Sequence, residues 1–284
     1  MAETIQVTTA SGLTFDVLID GPEMGAPVLL LHGFAESFHH WDAQVAALAR
    51  AGYRAIAPSQ RGYSPDARPD PADTGNYVFG SLVDDPMQIA AELSLKRFHL
   101  VGHDWGGSIA WGIADMYPER LASLTILSRP HPNAFNRALA LPDGEQKHRS
   151  RHHRAFLEPG AAAVVLANDA EWLRVRWDAA GVPKAAQDKH LAVLGNPAAM
   201  EAALAWYRAR GAIRSPLGAI RVPTLYIWGD ADDTVGRPAA EWTREYVSAS
   251  YEFAVLPGGG HFTADQMPEA VNALMLAHLA RHPL

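Results

Sequence analysis

Short unbroken apolar runs, separated by stretches with helical spacing, constrain this chain more than any other feature. The run Val28-Leu29-Leu30-Leu31, entered through Pro27, is apolar on both sides of a pleat, so a strand there must be covered on both faces. Similar runs predict strands over 53–57, 98–102 and 121–127, and again over 223–228 and 251–256. Between them, helical periodicity predicts helices over 41–51, 81–93 and 108–117, and a last one over 268–280. Gly52 follows the first helix as a C-cap, and Pro58 stops the strand after it. Residues 4–18 alternate in two pieces around Ser11-Gly12, the pattern of an N-terminal hairpin. Strands alternating with helices build parallel βαβ units, so the predicted fold is α/β, a mostly parallel sheet flanked by helices.

The rhythm changes between residues 130 and 215. That stretch is rich in Ala, Arg and Trp, has helical spacing over 161–167, 170–179 and 198–210, and offers no strand. The expected organisation is therefore a core made of 1–129 and 216–284, with 130–215 inserted as a helical cap. The insertion would sit at the carboxyl ends of the strands, where open α/β sheets bind ligands. With 48% hydrophobic residues the chain can bury a large core. Its net charge of −7 and its lack of an extended basic stripe argue against nucleic acid as a partner. The densest basic stretch, Lys147-His148-Arg149-Ser150-Arg151-His152-His153-Arg154, is expected to be a solvated face. Having no cysteine, the chain has neither disulfides nor thiolate chemistry. The N-terminus lacks the pattern of a signal peptide and no apolar run is long enough to span a bilayer, so a soluble cytoplasmic protein is expected, with no membrane partner. No feature sets an oligomeric state.

The chemistry centres on Gly102-His103-Asp104-Trp105-Gly106, where a predicted strand meets a predicted helix. Flanking glycines permit a tight turn that lifts the central side chain above the sheet, the arrangement of a nucleophile elbow with Asp where Ser is common. An Asp after a strand also serves as a helix N-cap, so its partners decide between the two roles. Serine attack on a saturated carbon would leave an ether, whereas carboxylate attack leaves an ester that water can cleave. An Asp nucleophile therefore points to an epoxide or a carbon–halogen bond, and it is ionised near neutral pH without help. Hydrolysis of the ester needs a base. His261, after Gly258-Gly259-Gly260 and beyond the last strand, is the candidate. The segment Trp228-Gly229-Asp230-Ala231-Asp232-Asp233 supplies an acid to orient it, and the chain order nucleophile, acid, histidine fits a hydrolase triad. The backbone N–H groups of Phe34 and Trp105 are the expected oxyanion hole. His32 is expected to be a structural hydrogen-bonding group. His39-His40 and His152-His153 lack supporting ligands at metal-site spacing, so neither a metal nor any other cofactor is expected.

With these pieces in place the chain resembles the epoxide hydrolase and haloalkane dehalogenase branch of the α/β-hydrolases. His32-Gly33-Phe34-Ala35 is similar to that branch's H-G-x-P motif, with Ala35 where proline is usual, and Gly102-His103-Asp104-Trp105-Gly106-Gly107 is similar to its nucleophile motif. The resemblance extends over both core halves and more weakly over the cap. It implies Asp104 as nucleophile, Asp232 as acid (with Asp230 and Asp233 as alternatives) and His261 as base. Leu204-Ala205-Trp206-Tyr207-Arg208 resembles the cap motif that carries a ring-opening tyrosine, which implies Tyr207. The second such position falls on His152, ahead of Phe156-Leu157-Glu158-Pro159-Gly160. A His/Tyr pair also occurs in fluoroacetate dehalogenases, but Trp105 stands where those carry an arginine. Trp105, His153 and Trp206 are the expected substrate-binding residues. The reading is an epoxide hydrolase acting on a small apolar organic substrate and water. A haloalkane or haloacid dehalogenase using the same triad is the alternative, and a non-catalytic ligand-binding member of the fold is the alternative of another class.

Overall fold

A computed structural model describes residues 2–142, 144–209 and 217–284. The predicted apolar runs are strands: β1 (Glu3–Thr8), β2 (Thr14–Asp20), β3 (Pro27–Leu31), β4 (Arg54–Pro58), β5 (Phe98–His103), β6 (Leu121–Leu127), β7 (Thr224–Gly229) and β8 (Tyr251–Leu256). They form one eight-stranded sheet in the order β1-β2-β4-β3-β5-β6-β7-β8. β1 pairs antiparallel with β2, and β2 with β4, while every other pairing is parallel. The chain leaves β3 towards β4 on one side and leaves β5 towards β6 on the other, so the loops after β3 and β5 diverge at a topological switch point.

Period-two alternation explains why these strands lack polar faces. Leu29, Leu31, Leu100, Ile126 and Tyr226 pack with Leu82 and Val83 of helix α2 (Phe79–Glu92) and Ile109 and Ile113 of α3 (Asp104–Met116). Their neighbours Val28, Leu30, Val101, Leu127, Leu225 and Ile227 point the other way, onto α1 (Asp42–Arg50) and α12 (Pro268–Arg281). Each fully buried aliphatic contributes roughly 1.5–3 kcal/mol, so neither face tolerates a polar residue without a partner. Gly52 lies just beyond α1 with a φ of 83–85° in common with Gly12 of the hairpin turn, at 85° and 83° respectively. Helix α3 begins at Asp104, four residues before the predicted start. Gly106 and Gly107 are poor helix formers, but tight packing against the sheet keeps them helical.

Between β6 and β7 the described chain is helical: α4 (Pro132–Leu139), α5 (Glu145–Arg149), α6 (His152–Ala155), α7 (Ala161–Ala179), α8 (Lys184–Leu194) and α9 (Pro197–Arg208). α7 is interrupted where Asn168, Asp169 and Ala170 take positive φ, which matches the two separate helical stretches expected there. The expected helix end at Arg210 and the expected cap boundary at 215–216 lie outside the described residues. Two short helices, α10 (Arg237–Trp242) and α11 (Thr263–Gln266), follow β7 and β8. Among the described residues no helix is long and apolar enough to cross a membrane.

Candidate active site

β5 ends in the residue on which the geometry converges. Asp104 has φ +47°, a left-handed conformation uncommon outside glycine and Asn/Asp, and sits at the sharp turn into α3. The turn requires its glycines. A Cβ on Gly106 would lie 2.1 Å from the Leu31 carbonyl oxygen, and one on Gly102 would lie 2.5 Å from that of Gly106. A Cβ on Gly33 would lie 2.5 Å from the Asp104 Cβ, so the loop after β3 is pressed directly onto the elbow. That contact lets the Phe34 N–H donate to Asp104 Oδ1 at 3.1 Å. Of the two expected oxyanion donors, Phe34 alone is hydrogen-bonded to Asp104 among the described residues. The Phe34–Ala35 peptide is cis. His32 lies beneath: its Nδ1 faces the Gly33 carbonyl at 3.0 Å and its Nε2 accepts the Gln60 N–H at 3.2 Å. These partners assign one neutral tautomer, and burial pushes the ring down to about 3.

His261 and Asp232 stand beside the elbow. Nε2 of His261 is 3.7 Å from Asp104 Oδ2, and its Nδ1 lies 3.1 and 3.2 Å from the two oxygens of Asp232. Asp232 is fully buried but well supplied: Oδ1 accepts the N–H groups of Thr234 (2.7 Å) and Val235 (3.0 Å), and Oδ2 accepts the Ser128 hydroxyl (2.6 Å). Asp230 instead accepts the Gly258 N–H, and Asp233 pairs with Arg176. Burial by itself would raise the Asp104 carboxyl and depress the His261 ring. The mutual proximity of His261 and the two carboxylates outweighs it, holding Asp104 and Asp232 below the usual carboxylate range and His261 well above the usual imidazole range.

Behind the histidine runs a buried charge network. His103 Nε2 lies 2.9 Å from the His261 carbonyl oxygen and its Nδ1 lies 2.8 Å from Glu36 Oε2. Glu36 also lies 2.6 Å from His40 Nδ1, which is 2.9 Å from Asp265, and His190 of α8 reaches Asp265 at 3.4 Å. Despite its burial, His40 is pushed up to about 10 by Glu36 and Asp265. Glu36, His40 and His103 are ligand-type side chains brought within ligand distance of one another, as are Glu36, His190 and Asp265. In sequence His40 had no companions at metal spacing; the fold supplies them, with hydrogen bonds joining His103 to Glu36 and both His40 and His190 to Asp265.

On the opposite side a small cavity is lined by helices that follow β6. Phe34, Asp104 and His261 form its floor, Tyr207 of α9 and His152 of α6 face it, and Trp172 and Arg176 of α7 border it. The free space is about 20 Å³, room for a water molecule. Tyr207 is packed edge-on against Phe34, Trp105 and Phe156, with ring centroids 4.9–5.5 Å apart. His152 Nδ1 bonds the Arg149 carbonyl at 3.1 Å, and burial followed by Arg176 pushes the ring down to about 4.

Three expected substrate-binding residues are placed elsewhere. Trp105 packs behind Tyr207 and Trp206, because the first turn of α3 aims it along the core rather than into the cavity. Trp206 is buried, and its Nε1–H donates to the Arg61 carbonyl at 3.0 Å. His153 lies on the far side of Tyr207, lining an outer groove with Lys147 and Arg154. Sequence reasoning missed Phe156, Trp172 and Arg176 as cavity residues, although Trp172 and Arg176 are four apart and share one helix face. It also missed Ser128, whose role depends on a contact 104 residues distant.

Comparison with known proteins gives the same outline. The family model of the alpha/beta hydrolase fold matches residues 26–268. The chain is 31% identical to the AB hydrolase superfamily protein YfhM of Bacillus subtilis, over 96% of this chain and 97% of that one. It is 30% identical to mouse Epoxide hydrolase 4 (95% of this chain, 77% of the relative) and 29% identical to Epoxide hydrolase A of Mycobacterium tuberculosis (98% of each). Among solved structures, one described among novel epoxide hydrolases in metagenomes from hot environments superposes with a TM-score of 0.88 at 30% identity, over 99% of this chain and 100% of that one.

Proposed function

This chain belongs to the alpha/beta hydrolase fold family, and from that premise we propose that it is an epoxide hydrolase working through a covalent ester on Asp104. The observation that carries the reading is the carboxylate of Asp104, raised on a strained elbow beneath the Phe34 N–H, with Tyr207 and His152 across the same cavity. Residues 130–215 act as the cap in this reading. A carboxylate oxygen of Asp104 attacks one ring carbon, the C–O bond breaks, and the released alkoxide takes a proton from the Tyr207 phenol. His152, a neutral ring whose Nδ1–H is given to the Arg149 carbonyl, offers the cavity an acceptor and orients rather than protonates. Water then attacks the ester carbonyl. His261, having passed its own proton back to the Tyr207 phenolate, removes one from the water and keeps it. The Phe34 N–H holds the carbonyl oxygen, and as the adduct collapses its hydroxyl proton goes to the departing alkoxide, so the diol leaves with Asp104 restored as a carboxylate.

The electrostatics give the second step its timing. While Asp104 is ionised, His261 faces two carboxylates and holds a proton tightly. Alkylation removes one of those charges, so the ring's proton affinity falls just when a base is needed. Asp232, with four partners, keeps the ring oriented throughout.

His261→Gln should halt the cycle after attack. Mass spectrometry of the variant incubated with terminal, aryl and internal epoxides should find one added substrate mass, located on the peptide containing Asp104. The absence of any adduct across the panel would sink the scheme. Parallel haloalkanes and haloacetates test the rival carbon–halogen reading, which requires halide release without diol formation from epoxides.

A further inference from the structure

The arginines and the lysine of the basic stretch 147–154 are left unused by this chemistry. The stretch is not the remote solvated face that its composition suggests. α5 and α6 lie against the mouth of the cavity, with His152 inside it, and the Arg149 guanidinium bonds the backbone carbonyl of Asp232 itself. A groove of about 290 Å³ opens from this point and shares His152 and Arg176 with the cavity; His148, Arg149 and Arg151 line its other side. Its two carboxylates are committed, Glu145 to Arg149 and Asp233 to Arg176. Arg151, with Lys147 and Arg154 beyond it, has no carboxylate partner among the described residues. The mouth is thus a cationic patch on a chain whose net charge is −7.

Arg176 is the residue common to cavity and groove. Its guanidinium is stacked over Trp172 at 5.2 Å, which fixes its position, and it remains 29% exposed. Its pairing with Asp233 spans 3.3 Å to a side chain that is 64% exposed, and such pairs contribute little. A guanidinium has five donors in a planar fork that matches a carboxylate, so donors remain for a second anion. Asp104 would repel an anion in the cavity, so a charged substrate must keep its anionic end at the rim.

We propose that the substrate is an epoxide bearing a carboxylate, held by Arg176 at the cavity mouth while its ring sits over Asp104. The ring half of this assignment rests on the epoxide reading above; the anion half stands on Arg176 and the groove.

The test compares a terminal epoxyalkanoate, its methyl ester, the epoxyalkane of matching length and an epoxyalkyl phosphate. Each is measured with wild type, Arg176→Gln and Arg176→Lys. Wild type should favour the acid over its ester in kcat/KM on the order of tenfold, the worth of one partly exposed charge-assisted contact. Arg176→Gln should erase that ratio, Arg176→Lys should keep part of it, and added salt should shrink it. Equal or ester-favouring kcat/KM in wild type, or an acid preference that survives in Arg176→Gln, overturns the proposal and leaves the epoxide reading standing. An Arg176-dependent preference for phosphate keeps the anion site and reassigns the anion. Calorimetry with hexanoate, which has no reactive ring, separates the two ideas if no epoxide is consumed. Binding lost in Arg176→Gln then supports the anion site and removes the epoxide, whereas no binding to wild type removes both.

Discussion

At the scale of single residues, the elbow tolerates almost no change, because three backbone segments meet there without room for a Cβ. Gly106→Ala would place a methyl carbon 2.1 Å from the Leu31 carbonyl oxygen, and neither α3 nor β3 can retreat without moving Asp104. We expect a stability loss of more than about 4 kcal/mol in denaturant unfolding, or no folded protein at all. Tyr207→Phe removes only the phenol oxygen from a ring wedged among Phe34, Trp105 and Phe156, so the fold should survive. Adduct formation on Asp104 should slow by roughly ten- to a hundredfold in single-turnover kinetics, while a comparable loss in ester hydrolysis would assign the tyrosine to the wrong step. The elbow was legible in the sequence because its glycines are dictated by backbone clearance, which leaves a local signature. Trp105, Trp206 and His153, expected as substrate contacts, lie off the cavity lining because neighbours in sequence to Asp104, Tyr207 and His152 need not share their direction. One residue along a helix turns a side chain by about 100°.

At the scale of elements, the sheet was readable almost to the residue. β6 and β8 match their predicted limits: β6 is buried along its whole length, and β8, half-buried with Glu252 exposed, is delimited by Ser250 before it and Pro257-Gly258 after it. The helices between β6 and β7 were less legible. α5 and α6 are short, polar and held by tertiary contacts rather than by propensity, so their periodicity is too brief to register. The contact that ties the loop after β4 to α2 and α9 was equally invisible. Arg61, after β4, makes two hydrogen bonds of 2.7 Å to Asp85 of α2, and its carbonyl receives the Trp206 indole of α9. Burial lifts the Asp85 carboxyl above its ordinary range in spite of Arg61. Removing one partner therefore leaves an uncompensated charge. Asp85→Ala should cost about 3–5 kcal/mol by urea unfolding, and replacing both Arg61 and Asp85 with apolar residues should cost less than the single change.

At the scale of the whole molecule, burial of neutral histidines sets the acid limit of stability. His32 is pushed down to about 3, and His99, His131 and His278 to about 4, in each case by burial first. Between pH 6.5 and about 4 the unfolded chain binds protons that the folded one refuses. Stability therefore falls as pH is lowered through that window, by up to about 1.4 kcal/mol per pH unit for each ring. His40 acts in the opposite direction. Its folded value near 10 exceeds its unfolded one, so its contribution is complete below about pH 6.5 and is lost as pH rises towards 10. Thermal unfolding followed from pH 4 to 10 should give a dome, and His40→Gln should flatten its alkaline side. A curve that falls only on the acid side in both proteins would remove His40 from this account.

The small cavity above Asp104 has a kinetic consequence. A space of about 20 Å³ is too small for an organic substrate, so binding requires the bordering side chains of His152, Trp172 and Arg176 to move outward, and for a fast-reacting substrate that movement brackets each turnover. Friction, rather than bond-breaking, would then set the pace for a fast substrate, and its turnover would slow in proportion as sucrose thickens the solvent.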